Sequence, residues 1–447
     1  MKYDKALIIN FGSQNNFLVP RKIRKLGIFC EVKNYRISKD DVLKINPKAI
    51  ILTVEKNTFA DRFKQFDKNI LNLNIPVLIV GNPFDILSGK ESDSINNIDI
   101  IKYDDVILFV CEDISSDKLK YFLIEVVKCS TGWTMQSYAE STISALKEKL
   151  YNKKVLLALS GGVDSSVTAA LLSKAIGSNL TCIFVDHGLM RKNEGDDVEK
   201  TFSNMDLNFI RVDAEDRFLS KLKDVTDPEA KRKIIGKEFI RVFEAEAKKI
   251  GSVDFLAQGT IYPDIIESGT LDSELIKSHH NVGGLPKHVD FKELIEPLSL
   301  LFKDEVRELG KVLELSDSFI NRQPFPGPGL AVRVIGNLTK EKLDILRDAD
   351  FIFRQALDNA NLQDMPSQYF AVLTDIKSVG IKNSKRTYDY TLALRAVTTT
   401  DFMTVKFSKI PYDILENVSQ KITDEVKGIN RVVFDITNKP PASVEWE

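Results

Sequence analysis

The sequence predicts an α/β protein in three parts: a small α/β unit over residues 1–130, a second α/β unit on a doubly wound parallel sheet over 131–325, and an α+β domain over 326–447. Three observations carry this prediction. Short continuous apolar segments alternate with helical stretches over the first two parts, as in a parallel sheet covered on both faces. One of those segments runs into a Gly/Ser turn and then directly into a helix. After a proline-rich turn, two long helical faces and several strand-like runs follow without that regular alternation.

In the first part, Ala6-Leu7-Ile8-Ile9, Ala49-Ile50-Ile51-Leu52 and Val77-Leu78-Ile79-Val80 are strand candidates, with a helix from Val19 to Leu26. A helix from about Met135 to Leu150 leads into the second part. There Val155-Leu156-Leu157-Ala158-Leu159 has the look of a fully buried strand, and the helix containing Val167 to Leu172 stops near Gly177. Leu180 to Val185, Phe209 to Val212 and Phe255 to Ala257 add further strands. The third part opens with Pro324-Phe325-Pro326-Gly327-Pro328-Gly329. Leu343, Leu346, Ile352, Phe353 and Leu357 mark one helix face; Ile414, Val418, Ile422 and Val426 mark another. Tyr369 to Leu373, Thr391 to Val397 and Arg431 to Ile436 are strand candidates.

The 62 basic and 64 acidic residues among 447 leave a net charge of −2, so no basic field points to nucleic acid. Cys30, Cys111, Cys129 and Cys182 are scattered without a CxxC pair, which argues against zinc and against a disulfide framework and fits a reducing cytoplasm. The opening MKYDKALIINFG has too short an apolar run for a signal peptide, and no stretch of about 18 apolar residues predicts a membrane span.

Chemistry enters at Ser160-Gly161-Gly162-Val163-Asp164-Ser165-Ser166. A strand, a glycine turn and a helix N-terminus make an anion site, because glycines admit close backbone approach and the first helical N–H groups favour negative charge. Ser160, Ser165 and Ser166 add hydroxyls. The turn lacks the lysine and the glycine spacing of a Walker A loop. It resembles the pyrophosphate loop of the ATP pyrophosphatases, which have an adenine nucleotide α-hydrolase-like fold and cleave ATP between the α and β phosphates.

From Gly132 onward the chain resembles the synthetase portion of the GMP synthase family. GWTM (132–135), LSGGVDSSV (159–167), FVDHGLMRKNE (184–194), TDPEAKRKIIG (226–236), LAQGTIYPDIIES (256–268), IKSHHNVGGLP (276–286), LFKDEVRELG (301–310), PFPGPGLAVR (324–333), RTYDYTLALRAV (386–397) and RVVFDITNKPPASVEWE (431–447) follow in order. The resemblance implies that Ser160 to Ser166 hold the ATP phosphates, with Val185 and Gly259 near the adenosine. Asp164 and Asp264 are the implied magnesium partners, in keeping with Mg²⁺ held by one or two carboxylates plus phosphate oxygens. For Asp264 a plain helix cap is the competing reading. Arg232, Gln368, Arg431, Ile436, Thr437, Lys439 and Glu445 would form the XMP pocket, although the run Lys231-Arg232-Lys233 taken alone reads as a solvated helix face. Lys277 and Lys303 would neutralise charge on the α-phosphorus, and Ile276 to Pro286 would form a lid. His279 and His280 lack the further ligands of a metal site.

The implied reaction uses ATP and Mg²⁺. The XMP 2-oxygen attacks the α-phosphorus, adenyl-XMP forms, and ammonia displaces AMP to give GMP. A homodimer through the third part, with no nucleic acid or membrane partner, is implied as well. The competing readings are another ATP pyrophosphatase-type amidating ligase, such as an NAD synthetase, and a non-catalytic XMP- or ATP-binding relic.

The N-terminal part resembles a class I glutamine amidotransferase domain with a flavodoxin-like fold, but shortened and degenerate. Ile8-Ile9-Asn10-Phe11-Gly12-Ser13-Gln14 and Asn46-Pro47-Lys48-Ala49-Ile50-Ile51-Leu52 match that family. Where it has a Ser-Gly-Gly-Pro oxyanion loop, this chain has Thr53-Val54-Glu55-Lys56. Where it has Gly-Ile-Cys-Tyr-Gly, this chain has Ile79-Val80-Gly81-Asn82-Pro83, so Gly81 occupies the position of the nucleophile. The histidines are His187, His279, His280 and His288, and none precedes residue 187. A thiolate needs a base beside it. Loss of glutamine hydrolysis is therefore expected, with ammonia taken from solution or from a separate glutaminase.

Overall fold

The computed structural model describes residues 3–12, 18–55, 59–81, 92–103, 106–112, 115–267, 291–363, 365–399 and 404–447. They divide into two compact units. One comprises the chain to Thr142 together with the helix Tyr262–Glu267; the other comprises Ile143–Ile261 and the described residues from 291 onward.

The first unit is built on seven strands: β1 (Lys5–Asn10), β2 (Phe29–Asn34), β3 (Ala49–Thr53), β4 (Val77–Val80), β5 (Ser92–Ile95), β6 (Ile98–Tyr103) and β7 (Val106–Cys111). Their order is β2-β1-β3-β4-β7-β6-β5. The run from β2 to β7 is parallel, while β6 pairs antiparallel with both β7 and β5. All five residues of β3 and all four of β4 are buried, which is why they read as unbroken apolar runs. The helix expected over Val19 to Leu26 spans Leu18–Lys25. Of the strands not anticipated, β2 and β5 are the edge strands and β6 carries Asp99 and Lys102, whereas β7 is an unbroken apolar run that the sequence reading missed. Asn96 and Asn97, at φ 54° and 58°, form the two-residue hairpin turn between β5 and β6, and that asparagine pair was the available signal.

In the second unit β8 (Val155–Leu159), β9 (Leu180–Asp186), β10 (Asn208–Asp213), β11 (Phe255–Ala257) and β12 (Glu293–Ile295) form an all-parallel sheet in the order β10-β9-β8-β11-β12. The chain leaves β8 toward β9 and β10, then returns to lay β11 on the other side. The switch point therefore lies between β8 and β11, at whose carboxyl ends ligands settle in such sheets.

Beyond it, β13 (Gln368–Lys382) and β14 (Lys385–Thr398) form a long hairpin; β15 (Lys406–Phe407) pairs antiparallel with β14, and β16 (Ile429–Asp435) pairs parallel with it. The helices Lys340–Asn359 and Tyr412–Glu425 pack on this sheet with the periodic faces expected of them. Both hairpin strands run well past the expected limits. Their inner halves are buried and their outer halves are largely exposed, so the apolar signal ends midway along each strand. Leu156 and Ile183 of the five-stranded sheet share one buried core with Leu346, Phe353 and Leu392. Residues 325 and 326 thus divide two patterns of secondary structure but not two cores.

Candidate active site

The turn after β8 is shaped by its own side chains. Gly161 sits at φ 78°, where an added Cβ would also crowd Val198 at 3.3 Å. Gly162 caps the helix Val163–Ile176. The Ser165 and Ser166 hydroxyls donate to the Gly162 carbonyl at 3.1 and 2.8 Å, and Gly162 N–H donates to Ser160 Oγ at 3.3 Å. Ser166 is completely buried, so its hydroxyl builds the turn instead of facing a ligand. The first helical bond runs from Ser166 N–H to Gly162 C=O. The N–H groups of Val163, Asp164 and Ser165 therefore precede the helical ladder and have no acceptor within it.

Gly259, just past β11, lies against this turn. A Cβ there would stand 2.9 Å from the Asp164 carbonyl carbon and 3.0 Å from Ser165 N. That close approach of backbone to backbone at the switch point is what requires glycine. Val185, in contrast, is a core residue of β9. Lys303 Nζ donates to both carboxylate oxygens of Asp164, at 2.7 and 2.6 Å. A cation and a carboxylate thus sit together at the mouth of the turn, both partly exposed. Asp264 belongs to the helix Tyr262–Glu267 of the other unit. Lys277, His279 and His280 lie outside the described residues, as does the rest of the expected lid.

A second cluster surrounds residues 435–447. Gln368 Nε2, at the start of β13, donates to Glu445 Oε1 at 2.9 Å. Arg232 Nη2 donates to the main-chain oxygen of Glu447. Thr437 N–H donates to Asp435 Oδ1 at 2.9 Å, and the Lys439 backbone pairs in both directions with Val405. The fold thus gathers Arg232, Gln368, Thr437, Lys439 and Glu445 onto one segment or its direct contacts. Ile436, on the same segment, is 64% exposed. Arg431 is not gathered there. It donates to Ser378 Oγ at 3.2 Å, from a strand position four residues before Asp435, ~13 Å away along β16.

Three buried cations that the motif reading passed over hold this segment. Arg333 pairs with Glu445; Arg395 donates to the carbonyls of Thr437, Ser443 and Val444; Lys231 Nζ donates to Val334 O at 2.9 Å and to the Glu447 carboxylate. All three have no exposed surface. The basic run is therefore split by the helix, with Lys231 inward and Lys233 outward. A signal existed: Arg333 and Arg395 each interrupt an otherwise apolar stretch, where a charge must be paired to be buried.

His187, at the end of β9, is buried beside Phe218. Leu189 N–H donates to its Nδ1 at 3.0 Å, which requires that nitrogen to be unprotonated. Burial pushes the imidazole down to about 4; Asp186 opposes this and Arg347 adds to it. The unfolded chain, with its histidine near 6.5, takes up the proton first on acidification. The stability contributed by neutral His187 is therefore complete above about pH 6.5 and is lost as pH falls toward about 4, roughly 3 kcal/mol in all. His187→Asn should remove that segment of the urea-midpoint profile between pH 6.5 and pH 4. An unchanged slope there would refute the assignment.

In the first unit Gly81 sits at φ 117°, and a Cβ there would lie 2.4 Å from the Val54 carbonyl oxygen. No nucleophile fits at this position without moving β3 or β4. Cys30, Cys111 and Cys129 are buried thiols. Burial pushes Cys129 up to about 11, aided by the Asp4 charge, which makes it a small core residue and not a thiolate.

Comparisons with known proteins bear on both clusters. The NAD synthase family model matches residues 136–242, and the GMP synthase C terminal domain family model matches residues 355–446. The chain is 50% identical to the GMP synthase [glutamine-hydrolyzing] of Finegoldia magna over 510 aligned positions, covering 100% of both chains. It is likewise 50% identical to that of Acetivibrio thermocellus, with 100% of both covered. It is 48% identical to that of Treponema denticola, with 99% of this chain and 97% of the relative covered.

Proposed function

The chain belongs to the GMP synthase family, and from that premise we propose that it aminates XMP with ammonia that its own N-terminal unit does not generate. The observation that supports the synthetase reaction is the phosphate turn at the sheet's switch point, closed from one side by Gly259 and bearing Asp164 and Lys303 at its mouth. The observation that supports lost glutamine hydrolysis is Gly81, whose conformation and neighbours exclude a side chain.

ATP lies with its β and γ phosphates on the N–H groups of Val163 to Ser165, so that they form the leaving group. Lys303, held beside the turn by Asp164, places a positive charge where the α-phosphorus gathers negative charge. The XMP 2-oxygen bonds to that phosphorus as the bond to pyrophosphate breaks. Ammonia then adds at C2, and AMP carries away the oxygen. The Asp164 carboxylate would be a hard oxygen donor for magnesium, and Asp264 is a candidate ligand on its sequence motif alone. Magnesium, when bound, supplies charge neutralisation on the phosphates. Lys277 is proposed as a further cation on the reacting phosphoryl group.

Arg232, Gln368, Thr437, Lys439 and Glu445 are proposed to hold XMP. Glu445 accepts from the purine and the cations face its phosphate. Arg431 lies away from that group, where it donates to Ser378. We also propose a homodimer through the C-terminal sheet, supported by the exposed apolar residues Ile376, Ile381, Tyr388 and Val433 on its strands. Among the described residues no helix is long and apolar enough to cross a membrane. We propose a cytoplasmic location on the sequence's scattered cysteines, which suit a reducing compartment.

GMP formation from XMP and Mg-ATP, driven by ammonium in one reaction and by glutamine in the other, tests the proposal. Product is expected with ammonium and none with glutamine, and Gly81→Cys should recover no glutamine-driven activity. Turnover of glutamine by the purified chain would overturn the loss of hydrolysis. No product with either nitrogen source would overturn the synthetase assignment.

A further inference from the structure

We infer that Arg333, which no motif assigns to a substrate, is the positioning residue that presets Glu445 for a single donor of the purine ring. This inference rests on Glu445 being an XMP ligand. Arg333 closes the turn Gly329–Arg333 and is completely buried. Its Nε donates to Glu445 Oε2 and its Nη2 to Oε1, both at 2.9 Å, forming a two-pronged fork that fixes the plane of the carboxylate as well as its place. The guanidinium lies 4.0 Å from the ring centroid of Phe370 and 5.2 Å from that of Phe325. Its remaining nitrogen, Nη1, is buried and has no hydrogen-bond partner among the described residues, so no rival acceptor draws the cation away from Glu445.

The chemistry follows from counting acceptor sites. A carboxylate offers about four lone-pair positions. Arg333 takes one on each oxygen, and Gln368 Nε2 takes the second on Oε1 at 2.9 Å. One position on Oε2 remains, and the side chain is still 15% exposed. Glu445 can therefore accept one N–H, held in plane, from the imide edge of a dioxopurine. A lysine at position 333 would keep the charge but lose the fork, leaving the carboxylate free to rotate.

The test measures KM for XMP and for ATP in ammonium-driven GMP formation, for Arg333→Lys, Glu445→Gln and the double variant. Arg333→Lys is expected to raise KM for XMP about tenfold and to leave KM for ATP within about twofold. Glu445→Gln should raise KM for XMP by at least as much, and the double variant should be no worse than the worse single, because both act through one interaction. Should Glu445→Gln leave KM for XMP unchanged, Glu445 is not an XMP ligand and the underlying reading falls. If Glu445→Gln raises it and Arg333→Lys does not, or if the two effects multiply, Arg333 does not position Glu445. A parallel rise in both KM values would reduce Arg333 to a structural role. Should Arg333→Lys lose its cooperative thermal transition, Phe370→Leu withdraws the ring beneath the guanidinium with the charges kept. It is expected to raise KM for XMP about threefold with KM for ATP unchanged, and no change would overturn the inference.

Discussion

Gly259→Ala is expected to lower ammonium-driven GMP formation about tenfold while the protein stays folded and still binds XMP. The added methyl would stand 2.9 Å from the Asp164 carbonyl carbon, 3.0 Å from Ser165 N and 3.1 Å from Asp164 O. These are backbone atoms of the first helical turn and cannot swing aside as a side-chain tip can. Either the strand end after β11 or the N-terminus of the helix Val163–Ile176 must retreat by tenths of an ångström. The turn is locked by its own serines, so that retreat carries the N–H groups of Val163 to Ser165 and the paired Asp164 and Lys303 with it. A displacement of about 1 Å costs on the order of 100-fold where the reaction depends on in-line attack, so a shift of tenths of an ångström is expected to cost about tenfold. Steady-state kinetics with ATP varied, and circular dichroism to confirm folding, check this outcome. Near-normal activity of the alanine variant would mean that the turn need not be held where it lies.

Arg395→Met is expected to have the largest effect on stability, about 3–5 kcal/mol, the typical consequence of removing one partner from a buried ion pair. Arg395 has no exposed surface. Its Nε donates to Val444 O at 2.8 Å, its Nη2 to Ser443 O at 2.7 Å, and its Nη1 to Thr437 O at 3.1 Å and to the Asp435 carboxylate. Methionine fills much of the volume but leaves three carbonyls and a carboxylate without that donor. Burial works against the Asp435 charge; the Thr437 N–H, Arg395 and Trp446 together hold its carboxyl below the usual range. Loss of the arginine removes part of that support and frees the segment carrying Lys439 and Glu445. Hydrogen exchange should show protection lost over residues 436–447, and KM for XMP should rise with it. Unaltered exchange there would show that the clasp contributes little.

What could be read in advance follows from how locally each feature is determined. The strand Val155–Leu159 was read to the residue and the helix after it to within a residue at its end, though its first four residues were counted in the turn; a buried parallel strand and a glycine turn need no distant partner to be visible. The hairpin of β13 and β14 was read only in its inner half, since exposed strand residues are not selected for apolarity. Around residues 435–447 the motif residues were named, but not the cations beneath them. Arg333 and Glu445 are separated by 112 residues and Arg395 and Val444 by 49, and no periodicity relates such pairs.

By itself the sequence determined three things: the alternation that makes the parallel sheets, the glycine–serine turn between a strand and a helix, and the lack of any histidine before residue 187 to activate a thiol. Tertiary structure alone decided that Gly259 meets the backbone of Asp164, that Gly81 faces the Val54 carbonyl, and that Arg333 is locked onto Glu445. The physical reason is one of range. Strand and turn propensities act over a few residues, whereas close backbone approach and the pairing of buried charges exist only once distant segments have been packed together.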